Sequence, residues 1–216
     1  MTQESNVTQT PSQSLDIGEA FRTGWRGFVA NIGPLIVVAL VVWVVTGAIN
    51  LLTRQSSGVG QFLLSMLSFF VGQVVAIVWI KLALSILDGR EFTADSLLPG
   101  GATLVSYIVA SLLFAVMLTV GLVLLVIPGI IVAVVFGLYG WALIDKALDP
   151  IEALRHSSRI TSGHRWEVFA FAVVAILLNI VGLVALIIGV LVTSAVTLIA
   201  AAHVYRQLDG SLQPAV

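Results

Sequence analysis

The sequence has 216 residues, of which 59% are hydrophobic and 10% are charged, and its mean hydropathy is +1.09. Since an ordinary soluble domain is about 25% charged, this composition excludes a soluble globular fold and predicts an integral membrane protein. A net charge of -1 excludes a nucleic-acid partner, and the lack of cysteine excludes disulfides and thiol catalysis.

The polar start of the chain, residues 1–14, is predicted to be a disordered tail. It contains a glutamate and has no basic segment before an apolar stretch, so it does not resemble a cleaved signal peptide. Residues 15–210 are the predicted membrane domain, and residues 211–216 are a short C-terminal tail.

The intervals between charged residues predict six membrane spans, because one crossing needs about 20 apolar residues. The intervals that follow Arg26 and Arg54 hold 27 and 26 uncharged residues, which is enough for one span each. Those that follow Asp95 and Glu167 hold 49 and 38, which is enough for a hairpin each. The predicted spans are residues 33–53, 62–87, 102–126, 130–147, 166–186 and 189–208. The predicted fold is therefore an all-α polytopic bundle of six transmembrane helices in three hairpins.

The basic residues are distributed unequally between the two sides of this topology. One side holds Arg22, Arg26, Lys81, Arg90, Lys146, Arg155, Arg159, Arg165 and Arg206, and the other holds Arg54 alone. Because cytoplasmic loops carry the excess of Lys and Arg, both termini are predicted to lie in the cytoplasm, at a bacterial or archaeal plasma membrane.

A short repeat ends the even-numbered spans. The tripeptides LDG, LDP and LDG place Asp88, Asp149 and Asp209 at intervals of 61 and 60 residues, which favours an internal repeat of three units. Asp16, Asp88 and Asp149 are predicted to cap the N-termini of the helices that follow them. The alternative is that Asp88, Asp149 and Asp209 form a cation site.

Two charged segments, DIGEAFRTGWR at 16–26 and DPIEALRHSSR at 149–159, share the pattern D-x-x-E-A-[FL]-R-x-x-x-R. Both are predicted to be interfacial amphipathic helices, with the apolar face toward the acyl chains of the membrane. The polar faces carry four arginines that are predicted to contact anionic lipid headgroups or a protein partner. These arginines are Arg22, Arg26, Arg155 and Arg159.

Gln73 and Asn179 lie near the middles of the second and fifth predicted spans. Hydrogen bonding between helices is the first interpretation of a buried amide in a membrane. The alternative is the polar site of a small transporter or channel.

The sequence predicts no catalytic residue, metal ligand or cofactor. His156 and His164 lie near Ser157 and Ser158, but there is no GxSxG motif and no buried acid to orient either imidazole. Glu152 and His156 lack a third metal ligand. We therefore predict a non-enzymatic protein whose partners are membrane lipids, with a protein partner or a second copy of the chain as further possibilities.

Four segments carry a resemblance to a known family: VIPGI at 126–130, Asp145, EALRHSSRITSGHRW at 152–166 and VYRQLDG at 204–210. Over roughly residues 15–210 the chain resembles the glycerophosphoryl diester phosphodiesterase membrane domain and related uncharacterised six-span families of bacteria and archaea. The resemblance implies mainly the topology. In the enzymes that name the family, the chemistry belongs to a separate soluble barrel of about 200 residues or more, and the six spans leave no room for such a barrel.

Overall fold

The computed structural model describes residues 15–91, 93–184 and 186–211, and nearly all of them are helical. The helices are α1 (Ile17–Ala30), α2 (Ile32–Gln55), α3 (Val59–Leu87), α4 (Ala94–Leu97), α5 (Gly101–Leu124), α6 (Val126–Phe136), α7 (Tyr139–Lys146), α8 (Pro150–Ile160), α9 (Arg165–Val184) and α10 (Leu186–Asp209). The predicted N-terminal tail (residues 1–14) and residues 212–216 of the predicted C-terminal tail lie outside the described residues.

Six segments of the described chain are long and apolar enough to cross a membrane. They are Ile32–Gln55, Val59–Leu87, Gly101–Leu124, Val126–Lys146, Arg165–Val184 and Gly189–Asp209. The predicted all-α bundle with six spans is confirmed, and each predicted bound lies within four residues of the observed one.

The outward surface of these helices is strongly apolar. Trp43, Val123 and Val184 are 67%, 81% and 81% exposed, and many other large apolar side chains are similarly uncovered. A soluble monomer rarely exposes apolar patches larger than a few hundred Å². Such a surface is stable when acyl chains cover it.

The turn of the second hairpin lies at Leu125, inside the predicted third span (residues 102–126) and before Pro128 and Gly129. Leu125 is extended (φ −168°, ψ 152°), and Pro128 lies in the first turn of α6, where its missing N–H is tolerated. Gly121 and Gly129 let α5 and α6 approach, because a Cβ on Gly121 would lie 3.0 Å from Gly129 Cα.

The fourth span is broken near its middle. α6 ends at Phe136 and α7 begins at Tyr139, so Gly137 and Leu138 interrupt the helix that was predicted to be continuous. A Cβ on Gly137 would clash with the carbonyl oxygen of Ala133, so the local geometry requires glycine there.

The sixth span, α10, forms the centre of the bundle and packs against α1, α3 and α9. α1 crosses it closely, because a Cβ on Gly24 would overlap the carbonyl oxygen of Val196. Ala20, Gly24 and Phe28 of α1 are buried. Of the predicted apolar face of α1, Phe28 packs on protein, so the prediction that this face lies toward lipid is wrong there, whereas Trp25 is exposed.

The same correction applies to α8. Its buried residues are Ala153, Leu154 and Ser157, and it packs against α5, α6 and α7. Instead of resting with its apolar face on acyl chains, α8 folds back along α7 and reaches the break in the fourth span.

Candidate functional site

Charged side chains from three spans meet where those spans end. The Arg206 guanidinium on α10 donates from Nη2 to Asp88 Oδ2 at the end of α3 and from Nη1 to Asp145 Oδ2 on α7, both at 2.7 Å. The Tyr205 hydroxyl donates to the same Asp145 oxygen at 3.0 Å. One cation therefore joins the second, fourth and sixth spans.

A second group of charges lies beside it, around Asp209. Asp209 Oδ1 is 2.9 Å from Lys146 Nζ and 2.7 Å from His156 Nε2, so it links α10 to α7 and α8. We call both groups together the ion cluster; its members are Asp88, Asp145, Lys146, His156, Tyr205, Arg206 and Asp209.

The ion cluster is shielded from its surroundings. The side chains of Arg206, Asp145 and Asp88 are 10%, 13% and 15% exposed, and that of Asp209 is 3% exposed. Charges at this depth require partners, because losing one leaves an uncompensated buried charge. The cluster is therefore a structural junction in which opposite charges are paired, while Arg206 Nε and Asp209 Oδ2 are buried without a hydrogen-bond partner among the described residues.

Sequence reasoning identified only part of this junction. It singled out Asp88 and Asp209 but paired them with Asp149, which is exposed at the start of α8. The three aspartates do not form one cation site. A signal for the rest was present in two adjacent pairs. Asp145 and Lys146 lie four and three residues before Asp149. Tyr205 and Arg206 lie four and three residues before Asp209.

The predicted helix caps differ among the three aspartates. Asp16 is the N-cap of α1 and accepts a hydrogen bond from Glu19 N at 2.9 Å. Asp149 is the N-cap residue of α8, with extended backbone and no capping hydrogen bond from its side chain. The prediction for Asp88 is wrong, since it ends α3 and its carboxylate is bound by Arg206 and by Arg90.

Two buried hydroxyls, Ser157 on α8 and Thr161 directly after it, bind backbone groups at the break in the fourth span. Ser157 Oγ donates to Val135 O at 2.9 Å and accepts from Leu138 N at 3.2 Å. Thr161 Oγ1 donates to Val135 O at 3.2 Å. These contacts satisfy backbone groups that are buried inside the protein, as membrane-spanning segments require.

The serine and histidine side chains that could suggest catalysis are engaged elsewhere. Ser157 binds the backbone of the fourth span, and His156 binds Asp209. His164 Nδ1 is 2.6 Å from Glu167 Oε2, which also accepts from Leu15 N. In the described chain, these contacts hold elements together and bring no histidine to a serine.

The four arginines of the predicted headgroup surface are all exposed. None of Arg22, Arg26, Arg155 and Arg159 forms an ion pair with a carboxylate of the described residues. Arg206, Lys146 and Arg90 are ion-paired, and Lys81 donates to the carbonyls of Ser96 and Leu98. The basic side chains of α1 and α8 thus differ from these in being available to an outside anion.

Arg155 and Arg159 lie on one face of α8 because residues four apart are neighbours on a helix. Together with Glu152, Ser158 and Phe136 they line an open cleft of about 580 Å³, which we call the arginine cleft. Its lining combines two guanidinium groups and a hydroxyl with an aromatic ring and the Glu152 carboxylate. Guanidinium groups bind phosphate oxygens in bidentate geometry.

The two midplane amides lie in different surroundings. Asn179 Nδ2 donates to Ala175 O at 2.8 Å and to Thr197 Oγ1 at 3.0 Å, and its Oδ1 accepts from Thr193 Oγ1 at 3.3 Å. It therefore joins α9 to α10, as expected for a structural amide. Gln73 is half-buried on α3.

The helices and contacts described above define a multi-pass integral membrane protein with six helical spans. Comparison of the chain with protein-family models, with curated proteins and with solved structures finds no match.

Proposed function

We propose that this protein is a non-enzymatic membrane module that binds the headgroups of anionic phospholipids through the arginines of α1 and α8. The observation that carries the proposal is the division among the basic side chains. Those of the ion cluster are neutralised inside the protein, whereas Arg22, Arg26, Arg155 and Arg159 are exposed without a carboxylate partner.

The arginine cleft is the proposed site of strongest binding. Two guanidinium groups and the Ser158 hydroxyl face one open space, and Phe136 supplies an apolar floor for the glycerol end of an acyl chain. Glu152 lowers the positive potential at one side, so the cleft fits a headgroup with one phosphate better than a polyanion. The cleft residues of α8 belong to the segment EALRHSSRITSGHRW at 152–166, which resembles part of the glycerophosphoryl diester phosphodiesterase membrane domain.

The proposal also places the protein in a bacterial or archaeal plasma membrane with both termini in the cytoplasm. The nine-to-one distribution of basic residues supports this orientation. Anionic lipids give the cytoplasmic leaflet a negative potential, to which each basic residue near the surface contributes about 1 kcal/mol of attraction.

Thermal unfolding of the purified protein with added phosphatidylglycerol or phosphatidylcholine tests the proposal. We expect phosphatidylglycerol to raise the unfolding temperature more. Losing two basic residues at about 1 kcal/mol each should weaken its binding about 30-fold in Arg155→Gln/Arg159→Gln.

Arg54→Gln is the matched control, because Arg54 is also exposed but lies on the other predicted side. The proposal fails if the double variant keeps the full phosphatidylglycerol shift. An equal shift from inorganic phosphate would identify a soluble phosphate compound as the ligand, and a purified protein partner that competes with the lipid would assign the surface to that partner.

A further inference from the structure

A second cleft, unrelated to the arginines, lies between α3, α5, α7 and α10. It is half-open and has a volume of about 460 Å³, within the range of about 300–1,000 Å³ that is usual for small-molecule sites. Its walls include Trp79, Tyr107, Tyr139, Trp141 and Ser194. We call it the aromatic cleft.

The break in the fourth span shapes this cleft. Gly137 and Gly140 both line it, and a Cβ on Gly140 would lie 3.3 Å from Tyr107 Cε2 and 3.2 Å from Ile80 Cδ1. The tight approach sets Tyr107 beside Tyr139, with ring centroids 6.1 Å apart. Two phenol rings are thus held together on one wall.

Tyr107 and Tyr139 both line the cleft, and each carries a phenol hydroxyl. A phenol hydroxyl can donate one hydrogen bond, so this wall can supply a proton to an acceptor in the cleft. Ser194 Oγ donates to Leu191 O at 3.2 Å, which leaves its oxygen as an acceptor. The polar groups of the aromatic cleft are therefore few and uncharged.

The charged groups are kept out of this cleft. None of its described lining residues is charged. Trp141 and Tyr205 stack with centroids 6.4 Å apart, and the Tyr205 hydroxyl is bound to Asp145 in the ion cluster. Because an ionised ligand would be desolvated here without a counter-charge, the cleft selects a neutral one.

We infer that the aromatic cleft binds a neutral, lipid-soluble ring compound with oxygen acceptors, of the quinone class. Its ring would stack on the indoles of Trp79 and Trp141, and one of its oxygens would accept from the tyrosine pair. An acyl chain uses none of these groups. An acyl chain fits better in the groove between α6 and α9, where Arg165 is the one charged residue of a lining that is otherwise apolar in the described chain.

Tryptophan fluorescence provides the test, because Trp79 and Trp141 line the cleft and quinones quench indole emission on contact. The purified full-length protein is titrated with menadione, a quinone ring without a tail. We expect saturable quenching. Tyr107→Phe keeps the ring and removes one hydrogen bond, so it should weaken binding about fivefold.

Ser194→Phe should abolish saturable quenching, because Ser194 is exposed at the edge of the cleft and a phenyl ring would fill the space. Ser65→Phe is the matched control, since Ser65 is exposed on α3 and does not line the cleft. The inference is overturned if quenching is linear, if Tyr107→Phe leaves it unchanged, or if the two phenylalanine variants behave alike. It is also overturned if lipids with brominated acyl chains quench these indoles and menadione does not displace them.

Discussion

Arg206 is the residue on which three spans depend. Its two terminal nitrogens bind different carboxylates, Asp88 from the second span and Asp145 from the fourth. Lysine presents a single compact charge and would not reproduce the planar fork that reaches both. The Arg206 side chain is nine-tenths buried, so water competes little for its hydrogen bonds to the two carboxylates.

We expect Arg206→Met to destabilise the protein by about 3–5 kcal/mol, because it leaves two shielded carboxylates without their cation. Arg90→Met is the matched control. Arg90 also contacts Asp88, but its side chain is 69% exposed, so its pair should contribute about 0–1 kcal/mol. Chemical unfolding in detergent measures both, and equal losses would contradict a structural role for the ion cluster.

The charges of this junction are visible in the sequence, but their pairing is not. Asp88 and Arg206 are 118 residues apart, and no local pattern relates them. The LDG repeat singled out Asp88 and Asp209, and both carboxylates belong to the ion cluster. It misassigned Asp149, because Ala147 adopts a left-handed conformation (φ 50°) that ends α7 and carries Asp149 into the start of α8.

Among the elements, α8 and the broken fourth span form one unit. The helix break at Gly137 leaves backbone groups that α6 and α7 do not satisfy alone, and Ser157 and Thr161 supply partners. The charged segment after the fourth span thus has an inner face that supports a membrane helix. Its outer face presents Arg155 and Arg159.

Ser157→Ala should destabilise the protein by about 1–3 kcal/mol, because the Leu138 N–H would lose its buried acceptor. Ser158→Ala, one residue along on the outer side of α8, should change stability by less than about 0.5 kcal/mol. Thermal unfolding of both variants in the same detergent makes the comparison. Two small and similar shifts would mean that the break is maintained without α8.

The elements could be predicted from sequence where hydropathy alone decides, as for the third span at Gly101–Leu124. The break in the fourth span escaped prediction because Gly137 lies in an otherwise uniform apolar run, where a single glycine is often tolerated. A clue was present on α8, where Ser157 and Thr161 follow Ala153 at intervals of four on what proves to be the buried face. Hydroxyls at such positions indicate acceptors on a neighbouring helix.

At the scale of the whole molecule, the proposed function depends on which side of the membrane each loop faces. The arginine cleft can meet anionic lipids of the inner leaflet only if the loop between the fourth and fifth spans is cytoplasmic. Six crossings place that loop on the side opposite residues 56–58, the connection that follows Arg54 at the end of α2. The orientation itself is a prediction from the basic residues.

Cysteine labelling tests this orientation directly, because the chain has no cysteine of its own. Single variants Ser57→Cys and Ser162→Cys place thiols at exposed positions of the two loops. In intact cells a membrane-impermeant maleimide should modify only the first, and permeabilised cells should allow both. The reverse pattern would place the arginine cleft outside the cell and remove the basis for inner-leaflet binding.

The close crossing of α1 over α10 has a consequence for how the chain is made. Gly24 meets Val196, yet roughly 170 residues separate them, and at about 5–20 residues per second a ribosome needs roughly 10–30 seconds to synthesise that interval. Throughout this time Ala20 and Gly24 lack the surface of α10 on which they pack in the complete chain. We therefore expect α1 to dock, and the bundle to close, only after the sixth span has been synthesised.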